Sequence, residues 1–124
     1  HLVESGEIPR IPRLIACQPD LMSPIRSALE GKPYISSKKK SLADALVTER
    51  SPLLVPLLDI LRKHGAAITV SEEEMIQARH KLAHSGIFTE YSSALAYAAS
   101  IKDKTPGKKL VILTGNGLKN SFQH

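Results

Sequence analysis

The sequence predicts an α/β fold: a three-layer sandwich in which helices flank a mostly parallel sheet, present here as an incomplete portion of a larger architecture. Three observations predict it. Three short apolar runs, RLIACQ (Arg13–Gln18), AAITV (Ala66–Val70) and KLVILT (Lys109–Thr114), are continuous rather than alternating, as strands covered on both faces are. Between them lie segments with apolar residues at helical spacing, bounded by capping signals. Alternating strands and helices place the sheet strands in parallel. Three strands leave the faces and edges of such a sheet poorly covered, which is the reason to expect only part of it.

Each element has its local justification. The first run is followed by SPIRSALE (Ser23–Glu30), with serine at the N-cap position, proline at the first helical position and Gly31 just beyond the end. Gly31 to Lys40 is a polar loop. Ser51-Pro52 repeats the capping signal ahead of Leu53, Leu54, Leu57, Leu58 and Leu61, a stripe at i, i+3 and i+4 that Gly65 closes. Pro56 inside that stripe either kinks the helix or marks its true start. After the second strand, Ser71-Glu72-Glu73-Glu74 forms a capping box with acids in the first turn, where the helix dipole favours them. The helix it opens runs to about His84. Thr89 to Ile101, rich in alanine and serine with apolar residues on nearly every face, predicts a deeply buried helix. The third strand then ends on Thr114-Gly115-Asn116-Gly117.

Composition narrows the function. A chain of 124 residues forms at most one domain. With 42% hydrophobic and 23% charged residues it is ordinary globular material, and with 4% aromatics and no tryptophan its core must be built from Leu, Ile, Val and Ala. The net charge of +5 allows anionic partners, but no basic stripe interleaved with base-stacking aromatics is present, so nucleic acid is not an expected partner. No apolar run approaches a membrane span, and membrane association is not expected. The single cysteine, Cys17, excludes an internal disulfide and fits a reducing, cytoplasmic setting. Flanked by Leu14, Ile15 and Ala16, it reads as an inert buried thiol. The chain opens His1-Leu2-Val3-Glu4 without methionine, and a fragment of a longer protein is the expectation.

Few residues carry chemistry. Ligands of open α/β sheets bind beyond the carboxyl ends of the strands, where Thr114 stands. The following glycines permit a sharp turn close to a ligand, or simply end the strand. A dinucleotide fingerprint would need a helix and another strand downstream, and only Leu118 to His124 remain. His80 and His84 share one helix face, yet no third ligand stands out, so solvated histidines and no metal site are expected. Lys38–Lys40 reads as a solvated loop, with steering of a phosphorylated substrate as the other reading. Glu90 precedes the buried helix, either as its N-terminal partner or as part of a pocket.

Several segments in order, IPRLIACQPDLMSPI, SLADAL, AAITVSEEEMIQARHKLAHSGIFTEYSSALAYAA and KLVILTGNGLKN, resemble the C-terminal portion of threonine synthase, a fold type II pyridoxal-phosphate enzyme. The resemblance runs from about Ile8 to Asn120 and is most specific in LTGNGLKN, which is closer to threonine synthase than to its dehydratase or cysteine synthase cousins. It implies that residues 1–124 are a single segment of the large domain. It implies that Thr114 contacts the pyridine nitrogen of pyridoxal 5′-phosphate and that Gly115 and Gly117 let the backbone pass close to the ring. Ala43, within Ser41–Leu46, and Glu90, at the pocket edge, are the further cofactor-binding positions it implies. Ser92, Ser93 and Ala94 match the small residues after that glutamate, while Tyr91 stands where the family usually carries proline.

The reaction implied is loss of phosphate from O-phosphohomoserine and addition of water to give threonine, with a phosphorylated amino acid as substrate and a homodimer as the assembly. The lysine that carries the cofactor and the glycine-rich loop for its phosphate lie upstream in the family. None of the lysines here falls in that context, Lys119 included, so no catalytic residue is assigned and the chain alone is expected to be inactive. The other readings are a threonine or serine dehydratase of the same fold and, from a different class, a stand-alone module that binds an anionic metabolite or a partner.

Overall fold

The computed structural model describes residues 2–37, 39–43 and 53–120, the last two by backbone alone. The elements run β1 (Leu14–Pro19), α1 (Pro24–Leu29), α2 (Leu54–His64), β2 (Gly65–Val70), α3 (Glu72–His84), α4 (Tyr91–Lys102) and a 3-10 turn (Gly117–Asn120). β1 and β2 pair in parallel, with Leu14 opposite Gly65 and Pro19 opposite Val70. Cys17 and its ladder partner Ile68 pack against a core built from Ala43, Val70, Met75, Ala78, Leu82, Ala94, Leu95, Ala98 and Ala99. α1 and α2 contact the same two strands, and the buried Leu58 and Leu61 of α2 lie outside that cluster. Helices thus cover the sheet in two separate layers, the α/β arrangement with a parallel sheet that the apolar runs predict. Burial raises the pKa of the half-buried Cys17 thiol, which fits an unreactive side chain.

Local signals explain where most elements begin and end. Pro24 opens α1, although Ser23 makes no side-chain capping bond. α1 and α3 both end in a glycine of positive φ, Gly31 at 66° and Gly86 at 82°. In each the two residues past the cap donate back to the last turn, Gly31 to Ala28 and Lys32 to Ser27, Gly86 to Ala83 and Ile87 to Leu82. Ser71 accepts from the Glu74 amide at 3.1 Å, and the Glu74 carboxylate accepts from the Ser71 amide at 2.8 Å, completing the capping box. Pro56 lies in the first turn of α2, where a missing N–H costs nothing. The capping pair Ser51-Pro52 lies outside the described residues, as does Lys38 of the lysine run; Lys39 and Lys40 are exposed. From Tyr91 to Ser100 no residue of α4 is exposed, as its apolar composition predicts.

The third strand is a correction. Residues 108–115 form no ladder, and the sheet has two strands among the described residues. The segment is extended, with Val111 and Leu113 half-buried, but Leu110 and Ile112 stand 91% and 71% exposed. A continuous apolar run predicts burial on both faces only if another layer and a neighbouring strand exist to provide it. Here α4 covers one side and nothing described covers the other.

Candidate functional site

The site forms where that extended segment reaches the N-terminus of α4. Thr89 and Asn116 make an isolated antiparallel bridge. The Gly117 amide donates to the Phe88 carbonyl at 3.1 Å, and the Glu90 amide donates to the Gly115 carbonyl at 3.3 Å. From the other side, the Oγ of Ser93 accepts the amides of Thr114 at 3.0 Å and Gly115 at 2.8 Å. The stretch Thr114–Gly115 is therefore held at three backbone groups, both amides and the Gly115 carbonyl. Its backbone bonds are made not by a strand but by one buried hydroxyl and the start of a helix.

Both glycines sit at close approaches, Gly117 against backbone and Gly115 against the movable Glu90 side chain. A Cβ on Gly115 would lie 2.0 Å from Cδ and Oε1 of Glu90, and one on Gly117 would lie 2.7 Å from the Phe88 ring and 2.8 Å from the Thr89 carbonyl. Both positions let the terminal segment press against Phe88–Glu90. α3 adds a clamp over this corner: Nε of Arg79 donates to the Thr89 carbonyl at 2.9 Å and its Nη2 to the Gly117 carbonyl at 3.4 Å. The same guanidinium lies 5.0 Å from the centroid of Phe88 and 4.5 Å from that of Tyr91, within cation–π range.

Thr114 itself is exposed, and its hydroxyl has no hydrogen-bond partner among the described residues. Oγ1 of the neighbouring Thr89 is buried without a partner among the described residues, so this corner carries unused hydrogen-bonding capacity there. Glu90 occupies the N-cap of α4 without a side-chain capping bond, and its carboxylate covers Gly115. The structure thus brings together Thr114, Gly115, Gly117 and Glu90. Ala43 reaches the same core from elsewhere: Glu72 accepts from the Ser41 hydroxyl at 2.5 Å and from the Leu42 amide at 2.9 Å, and Ala43 is left fully buried beside α3 and α4. The rest of the segment predicted with it, Asp44–Leu46, lies outside the described residues. His80 and His84 are exposed on α3, and no group of three or more metal-ligating side chains occurs among the described residues.

Sequence reasoning missed Arg79 and the role of Ser93. An arginine in ARHKLAH carries no local signal for a clamp, because its partners are ten and 38 residues away. Ser93 stood out only as a small residue; a buried serine inside an alanine-rich helix was the available hint, since its hydroxyl needs a partner there.

The corner thus combines an exposed threonine, Thr114, with a backbone held by Ser93 and Glu90. No helix among the described residues is long and apolar enough to cross a membrane. No curated protein sequence matches the chain. Serine racemase from Dictyostelium discoideum matches in structure with a TM-score of 0.57 and 27% identity, over 79% of this chain and 31% of that one. The chain thus spans about a third of the length of that enzyme. The sequence pattern of the family described as pyridoxal-phosphate dependent enzyme matches residues 3–115, nearly the whole chain. Together with the parallel α/β fold, this match makes the chain a member of the fold type II pyridoxal-phosphate dependent enzymes.

Proposed function

We propose that this chain supplies one wall of the cofactor pocket in a threonine synthase-like lyase, and that the Thr114 hydroxyl meets the pyridine nitrogen of pyridoxal 5′-phosphate. The observation that carries this reading is the contrast at Thr114: an exposed, unpartnered hydroxyl on a backbone whose adjoining amides are both held by Ser93. The LTGNGLKN motif supports it from the sequence side.

Bound pyridoxal phosphate supplies an electron sink for bond cleavage at the α-carbon of an amino-acid substrate. Thr114 orients the ring with one hydrogen bond. Being uncharged, it holds the nitrogen without forcing it to carry a proton, as a carboxylate would, and so moderates that sink. Gly115 and Gly117 keep the wall thin, and Glu90 borders it. In this reading Ala43 supports the wall from the core. The lysine that carries the cofactor and the phosphate-binding loop come from a part of the enzyme outside the matched segment, and the complete enzyme is a cytoplasmic homodimer acting on a phosphorylated amino acid.

A serine-directed enzyme of the same fold, a racemase or dehydratase, is the second reading, favoured by the structural match to serine racemase. One experiment separates them. The protein is purified from its source, its intact mass is compared with 13.5 kDa, and it is supplied in turn with O-phosphohomoserine and L-serine. Release of phosphate with formation of threonine is the expected result. Conversion of serine without phosphate release would replace the first reading by the second, and turnover by the isolated 124-residue chain would overturn the assignment of this segment as a non-catalytic wall.

A further inference from the structure

Ser93 occupies the third position of α4 and is only 2% exposed. Its Oγ accepts two consecutive backbone amides from a segment 21 and 22 residues further along the chain. Serine is a mediocre helix former, so helix propensity does not account for it here. Alanine would fill nearly the same volume but accept nothing, and would leave both N–H groups of Thr114 and Gly115 without this partner. A single oxygen does the work that an adjacent strand does elsewhere in a sheet, for a segment that has no ladder partner among the described residues. The Glu90 amide holds the Gly115 carbonyl, so the Thr114–Gly115 peptide cannot slide along α4 without breaking three hydrogen bonds.

From this geometry we infer that Ser93 is a positioning residue for the cofactor contact: it touches no ligand itself and sets where the Thr114 hydroxyl stands. The inference rests on the reading of Thr114 given above. A hydrogen bond to a ring nitrogen tolerates only a few tenths of an ångström in length before it weakens. A wall anchored through its own backbone can hold that tolerance; a wall anchored by apolar packing at half-buried Val111 and Leu113 cannot.

The test uses the full-length protein from its source, stripped of cofactor and titrated with pyridoxal 5′-phosphate, with binding read from the cofactor's visible absorption band. Thr114→Ala and Ser93→Ala are each expected to weaken binding about 5- to 10-fold, the loss of roughly one hydrogen bond. The Ser93→Ala/Thr114→Ala double variant is expected to bind no more weakly than Thr114→Ala alone, because Ser93 acts only through Thr114. A product of the two single losses in the double variant, or unchanged affinity in Ser93→Ala, overturns the inference while leaving Thr114 as the contact. Unchanged affinity and spectrum in Thr114→Ala overturns the contact itself, and with it the inference.

If Ser93→Ala does not fold, amide hydrogen exchange on the unmodified protein still decides. Because Ser93 holds both amides before any cofactor arrives, the Thr114 and Gly115 amides are expected to be protected in the cofactor-free protein. Exchange at both amides as fast as in an exposed loop refutes the positioning role.

Discussion

Replacing Arg79 tests whether the α3 clamp holds the site together. Its Nε bond to Thr89 has good length at 2.9 Å, whereas the Nη2 bond to Gly117 at 3.4 Å is long. A hydrogen bond from a charged donor contributes about 1.5–3 kcal/mol, the longer one less. Each cation–π contact, to Phe88 and Tyr91, adds about 0.5–1 kcal/mol at a half-exposed site. These terms overlap, so Arg79→Ala is expected to cost about 3 kcal/mol, a large share of the roughly 5–15 kcal/mol that separates folded from unfolded domains. Arg79→Lys keeps the charge but loses the planar fork and the stacking, and is expected to cost about half as much. Urea unfolding followed by circular dichroism measures both, with an unchanged slope showing that the folded and unfolded states are otherwise alike. Exchange of the Gly117 amide, which donates to Phe88, should accelerate in Arg79→Ala ahead of global unfolding. A variant within about 0.5 kcal/mol of the parent would refute the clamp, since that is the scatter of an ordinary surface substitution. Lysine equal to arginine would refute the role of the fork.

Two further perturbations probe the frame. Gly65→Ala places a Cβ 2.2 Å from the Leu14 carbonyl oxygen and 2.9 Å from Leu61; the backbone there is extended, at φ −157°, so the penalty is steric and falls on the β1–β2 ladder. A loss of about 1–3 kcal/mol in thermal unfolding is expected, and parental stability would contradict the pairing of Leu14 with Gly65. The Glu74 carboxyl is held below its ordinary value of 4.5, first by the hydrogen bond from the Ser71 amide and then by that from Lys102. Because the folded-state value is depressed, this stabilisation is present above the ordinary value and disappears as pH falls through the depressed one. Glu74→Gln should flatten the acid limb of the stability profile below about pH 4.5; an acid limb as steep as the parent's would remove the capping box as a source of acid sensitivity.

What the sequence alone determined is local. The capping box at Ser71–Glu74, the glycine that closes α1, and the leucine stripe of α2 arise from spacings of three to five residues, within the span a linear pattern records. The burial of α4 is legible for the same reason, since its composition leaves no polar face. The enzyme class is legible because segments along the chain carry a resemblance independent of any contact, and the family match over residues 3–115 agrees with it at the level of pyridoxal-phosphate dependent enzymes. Lys109–Thr114 shows where this stops. Its apolar run describes what the side chains need, not whether a neighbouring strand is there to meet it, and the tertiary structure leaves Leu110 and Ile112 in solvent. The same limit hid the reasons for the terminal motif. The sequence marks Gly115 and Gly117 as points of close approach, and only the tertiary structure shows that Glu90 and Phe88 lie against them. Ser93 and Arg79 acquire their roles only when α3, α4 and the terminal segment meet, through hydrogen bonds spanning 10 to 38 residues. Short-range periodicity encodes which face of an element is apolar; which backbone atoms a side chain will hold is settled only when the elements pack.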